Sequence, residues 1–236
     1  MSIKERVLVF TACYNEKQNI EKLILEINNN LPGSYILIID DNSPDQTQNV
    51  VKILQNKILN LKLIVREKKL GLDTAHKLAY DYAIQNKFDF LITMDADLSH
   101  DPKELKNFVK WLKQYPFVIG SRYTAGGKCL MKGSRLIMSK LGNLVIKFFS
   151  QIKSNEFTTS YRGFNITKLN GFHLNDVNEK GYSFFMGTLF EINKKKFSIK
   201  EIPITFLDRE KGVSKIPKFE IFRTLINLFK YLLKGI

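Results

Sequence analysis

Leu91-Ile-Thr-Met-Asp-Ala-Asp-Leu-Ser-His-Asp-Pro102 decides how this chain is read. An apolar run of the kind that builds a buried strand ends in two carboxylates one residue apart, and Pro102 then opens a helix. In an extended segment residues i and i+2 point the same way, so Asp95 and Asp97 are expected to face one point just beyond the strand end. Hard divalent cations bound together with diphosphates use one or two carboxylates and leave the other positions to water and substrate oxygens. An Asp-rich loop capping the next helix is the competing reading. The position of the stretch, after three strand–helix units, weighs against it.

Those units lie upstream. The spacing predicts a strand over Arg6–Ala12, a polar turn Cys13–Asn19 and a helix from Ile20 to Ile27. Tyr35–Ile39 is a continuous apolar run, as in a parallel strand covered on both faces. It ends in Asp40-Asp-Asn-Ser-Pro-Asp-Gln-Thr47 and a helix over Gln48–Gln55. A third strand, Leu61–Val65, leads to a helix over Thr74–Gln85, and the fourth strand is Phe88–Met94. This β-α-β-α-β-α-β run predicts an α/β fold with a mostly parallel sheet and right-handed crossovers. Ligands of such sheets lie beyond the carboxyl ends of the strands. Here those ends carry Tyr14 and Glu16, then Asp40 and Asp41, then Asp95 and Asp97. No Gly-x-Gly-x-x-Gly and no phosphate-cradling Gly-rich loop occurs. A carboxylate rim repels bare phosphate, so a metal ion must mediate any diphosphate binding.

Composition sets the frame. The 236 residues fit one well-buried α/β domain. A net charge of +14 attracts polyanions, whether nucleic acid, acidic lipid or phosphorylated substrate. No nucleic-acid-binding module is recognisable, so nucleic acid is not expected as a partner. Cys13 and Cys129 have no metal-type spacing, and no secretory signal is visible, which makes a reducing cytoplasmic setting the expectation. No stretch reaches the uncharged length of a spanning helix.

Downstream, a helix is expected over Pro102–Lys113 and a strand over Phe117–Gly120, running into the loop Ser121–Gly127 with Arg122 at its base. Helical segments around Ser134–Phe149 carry Arg135 and Ser139. The hydroxyl-rich turn Glu156–Phe164 puts Arg162 on a short strand, where it is a candidate structural partner for an acidic turn. Ile199–Phe206 reads as an edge strand, because Pro203 cannot donate to a ladder. The following Asp208–Lys215 loop, with Arg209, Lys211 and Lys215, is either a clamp for an anion or a solvated charge run. From Ile216 to Ile236, Phe219, Phe222, Ile226, Phe229 and Leu233 recur at helical spacing beside basic residues. Either a membrane-interfacial helix or an ordinary core-packing helix fits that pattern.

Tyr14-Asn-Glu16, Asp40-Asp-Asn-Ser-Pro-Asp45, Met94–His100, Gly120-Ser-Arg-Tyr123 and Asp208–Lys215, in this order, resemble the dolichyl-phosphate mannosyltransferase (polyprenyl-phosphate glycosyltransferase) branch of the family 2 glycosyltransferases. The resemblance runs from Val7 to Lys215. It implies a GT-A type nucleotide-diphospho-sugar transferase domain over residues 1–215, and the helical pattern of 216–236 sets that stretch apart as an amphipathic helix. It implies that Ala12, Tyr14, Glu16, Ile39, Asp41, Asp95 and Ala96 bind the donor nucleotide. Asp95 and Asp97 would hold Mg or Mn, with Ser99 beside it. Arg122, Arg135, Arg209 and Lys215 would act with Asp97 in catalysis, and Arg122, Arg135 and Ser139 would take the acceptor phosphate. Four departures stand out: Ala12-Cys13 for Pro-Thr, Asp73 for a Gly, Thr159 where Gly is frequent, and Gly187 where relatives carry a carboxylate.

The function so implied is a metal-dependent, inverting transfer of a sugar from GDP-mannose or a UDP-hexose to a polyprenyl phosphate. A phosphate monoester, with its second pKa near ~6, is a nucleophile that needs no general base. That suits a chain whose three histidines, His76, His100 and His173, sit in no triad-like context. A family 2 transferase acting on a glycan hydroxyl in surface-polysaccharide synthesis would need such a base. It stays as an alternative, as does a non-catalytic membrane-surface scaffold. The expected location is peripheral, on the cytoplasmic face of a membrane. An integral-membrane partner is left open, since the paired transmembrane helices that some relatives append are not seen.

Overall fold

The computed structural model describes residues 5–208 and 226–229. Continuous apolar runs form the strands at the centre: β1 (Val7–Cys13), β2 (Tyr35–Asp40), β3 (Leu61–Val65) and β4 (Phe90–Asp95). Helices α1 (Ile20–Asn30), α2 (Thr47–Gln55) and α3 (Leu72–Gln85) connect them. A short 3₁₀ turn at Pro102–Glu104 opens α4 (Leu105–Leu112), where one continuous helix to Lys113 was expected. Asp101 caps that turn by accepting from the Lys103 amide. Then follow β5 (Phe117–Ser121), β6 (Lys128–Cys129), α5 (Ser134–Ser150), β7 (Arg162–Asn165), α6 (Ser183–Lys194), β8 (Ile199–Pro203) and β9 (Thr205–Phe206).

The main sheet has the order β3-β2-β1-β4-β7-β5-β8. All its pairings are parallel except those of β7, which is antiparallel to both β4 and β5. β8 lies at the edge, and Pro203 closes it. The expected single strand Ile199–Phe206 is split at Ile204, and its second half pairs with β6 in a small separate sheet.

Alternation along the strands sorts the core into two layers. Val7 and Val9 of β1 pack with α1, α2 and α4 on one face. Leu8 and Phe10 pack with α3 and α6 on the other. Among the described residues no helix is long and apolar enough to cross a membrane. The expected boundary between residues 215 and 216 lies outside the described residues.

Candidate active site

At the carboxyl edge, strand register aligns the donor-site candidates. Ala12 in β1 is paired with Ile39 on one side and with Asp95 on the other. The loops after β1 and β2 are laced together. The Asn15 amide donates to Ser43 Oγ (2.9 Å) and the Glu16 amide to Thr47 Oγ1 (3.0 Å). Glu16 is buried and accepts from Asn19 Nδ2 at 2.7 Å. The ring of Tyr14 lies 4.4 Å from the Lys69 ammonium.

The adjacent aspartates Asp40 and Asp41 divide their work. Asp40 is fully buried and takes the Ser43 amide (2.8 Å) and hydroxyl (2.5 Å), so it shapes the turn. Asp41 pairs with Arg66, whose Nε donates at 2.5 Å while its other nitrogens reach Thr74 Oγ1 and the Gly71 carbonyl. Burial pushes the Asp41 carboxyl up and Arg66 opposes the shift. Arg66 had no motif to mark it in the sequence.

Asp95 ends β4, and the chain turns immediately at Ala96–Asp97, with Leu98 at φ 63°. A turn, not an extended segment, therefore relates the two carboxylates, which corrects the i, i+2 expectation. The turn is closed from behind, where His100 bridges to Phe206. Each carboxylate is braced by a serine. Ser99 donates to Asp97 Oδ1 through its amide (3.1 Å) and hydroxyl (2.6 Å), and Ser160 Oγ donates to Asp95 Oδ1 (2.5 Å). Ser99, expected beside the ion, is thus placed as the residue that orients Asp97. His100 is buried, and its Nδ1 accepts from the Asp95 amide at 3.1 Å. This requires the tautomer protonated on Nε2, which faces Thr159 Oγ1 at 3.3 Å. Burial holds the His100 pKa down, in agreement with a neutral ring.

The basic side of the site is built on α5 and the turn before β7. Arg122 is not presented to the rim as an isolated cation. Its Nε and Nη2 form a two-pronged pair with Glu156 (2.7 Å each), and Nη2 also reaches Thr158 Oγ1 (2.8 Å). Burial works against both charges, but each partner outweighs it, holding the arginine protonated and lowering the Glu156 pKa. Removing one member of such a buried pair typically costs about 3–5 kcal/mol. Arg135 differs: it is half exposed, and it meets the Asp208 carboxylate at 4.0 Å. Ser139 accepts from the Tyr123 hydroxyl at 2.8 Å. Among the described residues Arg162 makes no ion pair with an acidic turn. It is buried, donates to the carbonyls of Thr159 (2.8 Å) and Phe157 (3.1 Å), and lies 5.0 Å from the Phe185 ring. Burial lowers its pKa to about 9. Arg209 and Lys215 lie outside the described residues.

Among the described residues no group of three or more His, Cys, Asp and Glu side chains forms a ready-made metal cage. Two hard oxygen donors at a strand end fit a different ion, one that completes its shell with substrate oxygens and water. The Asp95 side chain, 37% exposed, is open to such a shell.

Three departures from the family pattern are absorbed locally. Asp73 accepts from the Gly181 amide at 3.0 Å and ties α3 to the approach to α6. Thr159 holds His100 through the contact at Nε2. At Gly187, within buried α6, a Cβ would overlap the carboxylate of Glu179, so an acidic side chain from a neighbouring segment fills that space.

This sheet, with its aspartates at the end of β4, defines a GT-A type α/β domain. The family model for Glycosyl transferase family 2 matches residues 8–172, and the chain belongs to that family, as a hexosyltransferase. It is 30% identical over 234 residues to a polyprenol monophosphomannose synthase of Mycolicibacterium smegmatis, covering 98% of this chain and 88% of the relative. It is 29% identical to an undecaprenyl-phosphate mannosyltransferase of Micrococcus luteus, covering 96% and 93%. Among solved structures, glucosyl-3-phosphoglycerate synthase from Mycobacterium tuberculosis, in complex with Mn2+, UDP and glucosyl-3-phosphoglycerate, superposes with a TM-score of 0.69 at 15% identity. That match covers 97% of this chain and 80% of the other. A mannosyltransferase from Pyrobaculum calidifontis in complex with GDP-Man and Mn2+ gives 0.61 at 18% identity, covering 98% and 70%.

Proposed function

We propose that this hexosyltransferase moves a sugar, mannose from GDP-mannose in the first instance, to a polyprenyl phosphate in a metal-dependent, inverting reaction at a membrane surface. The observation that carries the reading is a pairing of opposites. Asp95 at the end of β4 and Asp97 in the turn after it are each braced by a serine, and the chain leaving β5, which runs the same way as β4, carries seven Lys or Arg and no Asp or Glu over residues 122–155. The relatives' names supply the acceptor class and the sugar.

Asp95 and Asp97 would hold Mg2+ or Mn2+. The chemistry they would gain from it is a Lewis acid that would offset charge developing on the leaving diphosphate. Ala12, Tyr14, Glu16, Ile39, Asp41 and Ala96 would seat the nucleotide. Arg122, neutralised by Glu156, is suited to fixing the geometry of the acceptor wall. Arg135, on a long and solvated ion pair worth little, is free to exchange Asp208 for the acceptor phosphate, with Ser139 beside it. The dianionic acceptor attacks without a base, so the neutral, buried His100 has no proton to carry.

Asp97→Ala should lower turnover at least ~100-fold, the range seen when one preorganised group at developing charge is lost. It should also abolish the Mn2+-dependent thermal shift produced by GDP-mannose. Arg135→Ala should act mainly on KM for the lipid phosphate. Normal metal-dependent transfer by Asp97→Ala would overturn the metal assignment. Transfer to an oligosaccharide in place of polyprenyl phosphate would move the chain to the glycan-hydroxyl reading.

A further inference from the structure

Helix α5 is built inside out. Its buried residues are Asn143 and Ile146, whereas the stripe Ile137, Leu141, Leu144 and Phe148, at i, i+4, i+7 and i+11, faces solvent. Ile137 is 60% exposed, Leu144 61% and Phe148 75%. A surface helix normally turns such a stripe to the core. The polar face is pinned inward instead: Asn143 Oδ1 accepts from the Phe157 amide (2.7 Å), and Ser139 takes the Tyr123 hydroxyl.

The apolar surface continues onto a second segment. In residues 226–229, Leu228 is buried in the core and Asn227 donates to Ser183 Oγ (3.0 Å), which leaves Ile226 and Phe229 exposed. The Phe229 ring lies 6.3 Å from that of Phe149, joining the two patches. Exposed Lys140, Lys147 and Arg135 flank the stripe.

We propose that α5, with Ile226 and Phe229, is the face by which this protein lies on an anionic lipid bilayer. A second copy seated on the same face would bring the exposed Arg135, Lys140 and Lys147 that border the stripe towards their own copies, like charge against like. An anionic lipid surface complements those charges, and each Lys or Arg near it contributes about 1 kcal/mol. Apolar residues on one face and lysines at its border are the pattern of helices lying in the interface plane. The inference deepens the polyprenyl-phosphate reading, on which it rests: the face of α5 opposite the stripe carries Ser139, and its first turn Arg135. A lipid phosphate would then meet the site without leaving the membrane.

The test uses the full chain and sedimentation with vesicles of phosphatidylcholine, with or without phosphatidylglycerol. Wild type should partition onto the phosphatidylglycerol vesicles, and less so in high salt. Leu144→Asp/Phe148→Asp should reduce partitioning on the order of a hundredfold, from the apolar area of two exposed side chains, with the melting midpoint unchanged. Lys140→Glu should reduce it about tenfold on the anionic vesicles alone. The proposal is overturned if wild type ignores the vesicles or if the double variant partitions like wild type. It is equally overturned if sedimentation velocity shows a dimer that the double variant splits. Transfer to detergent-dispersed polyprenyl phosphate, measured alongside, separates the two readings. Vesicle binding without transfer leaves the docking face standing and removes the acceptor; transfer without vesicle binding does the reverse.

Discussion

An alanine at Gly187 has nowhere to put its methyl group. The place its Cβ would take is filled by the Glu179 carboxylate and closed further by a Val177 methyl at 3.0 Å. The carboxylate is the end of a flexible side chain and can swing away, whereas Val177 is buried. Overfilling a packed site costs about 1–3 kcal/mol. We expect Gly187→Ala to fall in that range in urea unfolding, and Glu179→Ala/Gly187→Ala to recover part of the loss, the remainder being set by Val177. A double variant as unstable as the single one would mean that the two residues do not share this space, since only residues in contact show such coupling. The sequence shows a glycine where relatives carry a carboxylate, but not that a carboxylate eight positions upstream lies over it. Arg122 and Glu156 make the same point, because nothing in their spacing announces a buried pair.

At the scale of elements, the loop between β5 and β6 holds Arg122 in place by folding Gly127 against its own start. A Cβ there would lie 2.5 Å from the Ser121 carbonyl oxygen and 2.9 Å from that of Arg122. Both are backbone atoms and cannot rotate away. Gly127→Ala should therefore cost about 1–3 kcal/mol in unfolding or move the loop. A crystal structure of the variant with an unchanged loop and unchanged stability would refute the argument. The parallel strands β1 to β4 were legible in the sequence because strands covered on both faces read as uninterrupted apolar runs. Helix α6 was not. Ser183 to Phe190 are all buried, and a helix surrounded by core shows no periodic face. Helix α5 was legible as a helix, but its apolar stripe gave no hint of pointing outward. The turn at Ala96–Asp97 was hidden for another reason: a positive φ at a leucine has no marker in the sequence, and the nearby His100–Phe206 bridge joins residues far apart in the chain.

Across the whole molecule, two buried histidines link stability to pH. His76 sits in the core between the rings of Phe10, Phe184 and Phe185. Burial, assisted by Arg162, holds its pKa down to about 3, and burial lowers that of His100 as well. In the unfolded chain both titrate near ~6.5. Between those limits the unfolded state binds the proton and the folded state does not, so stability is full above ~6.5 and falls as the pH falls. By pH 5 the loss from His76 alone is about 2 kcal/mol. Asp41, with its carboxyl pushed up, contributes with the opposite sign, and Glu156, with its carboxyl held down, adds a further loss only at lower pH. His76→Leu keeps an apolar side chain of similar size in the aromatic box and removes the protonation site. It should flatten the decline in unfolding free energy between pH 7 and pH 5 by about 2 kcal/mol, measured by urea titration at each pH. An unchanged slope would mean that the acid sensitivity of this fold is not carried by the histidine packed among Phe10, Phe184 and Phe185.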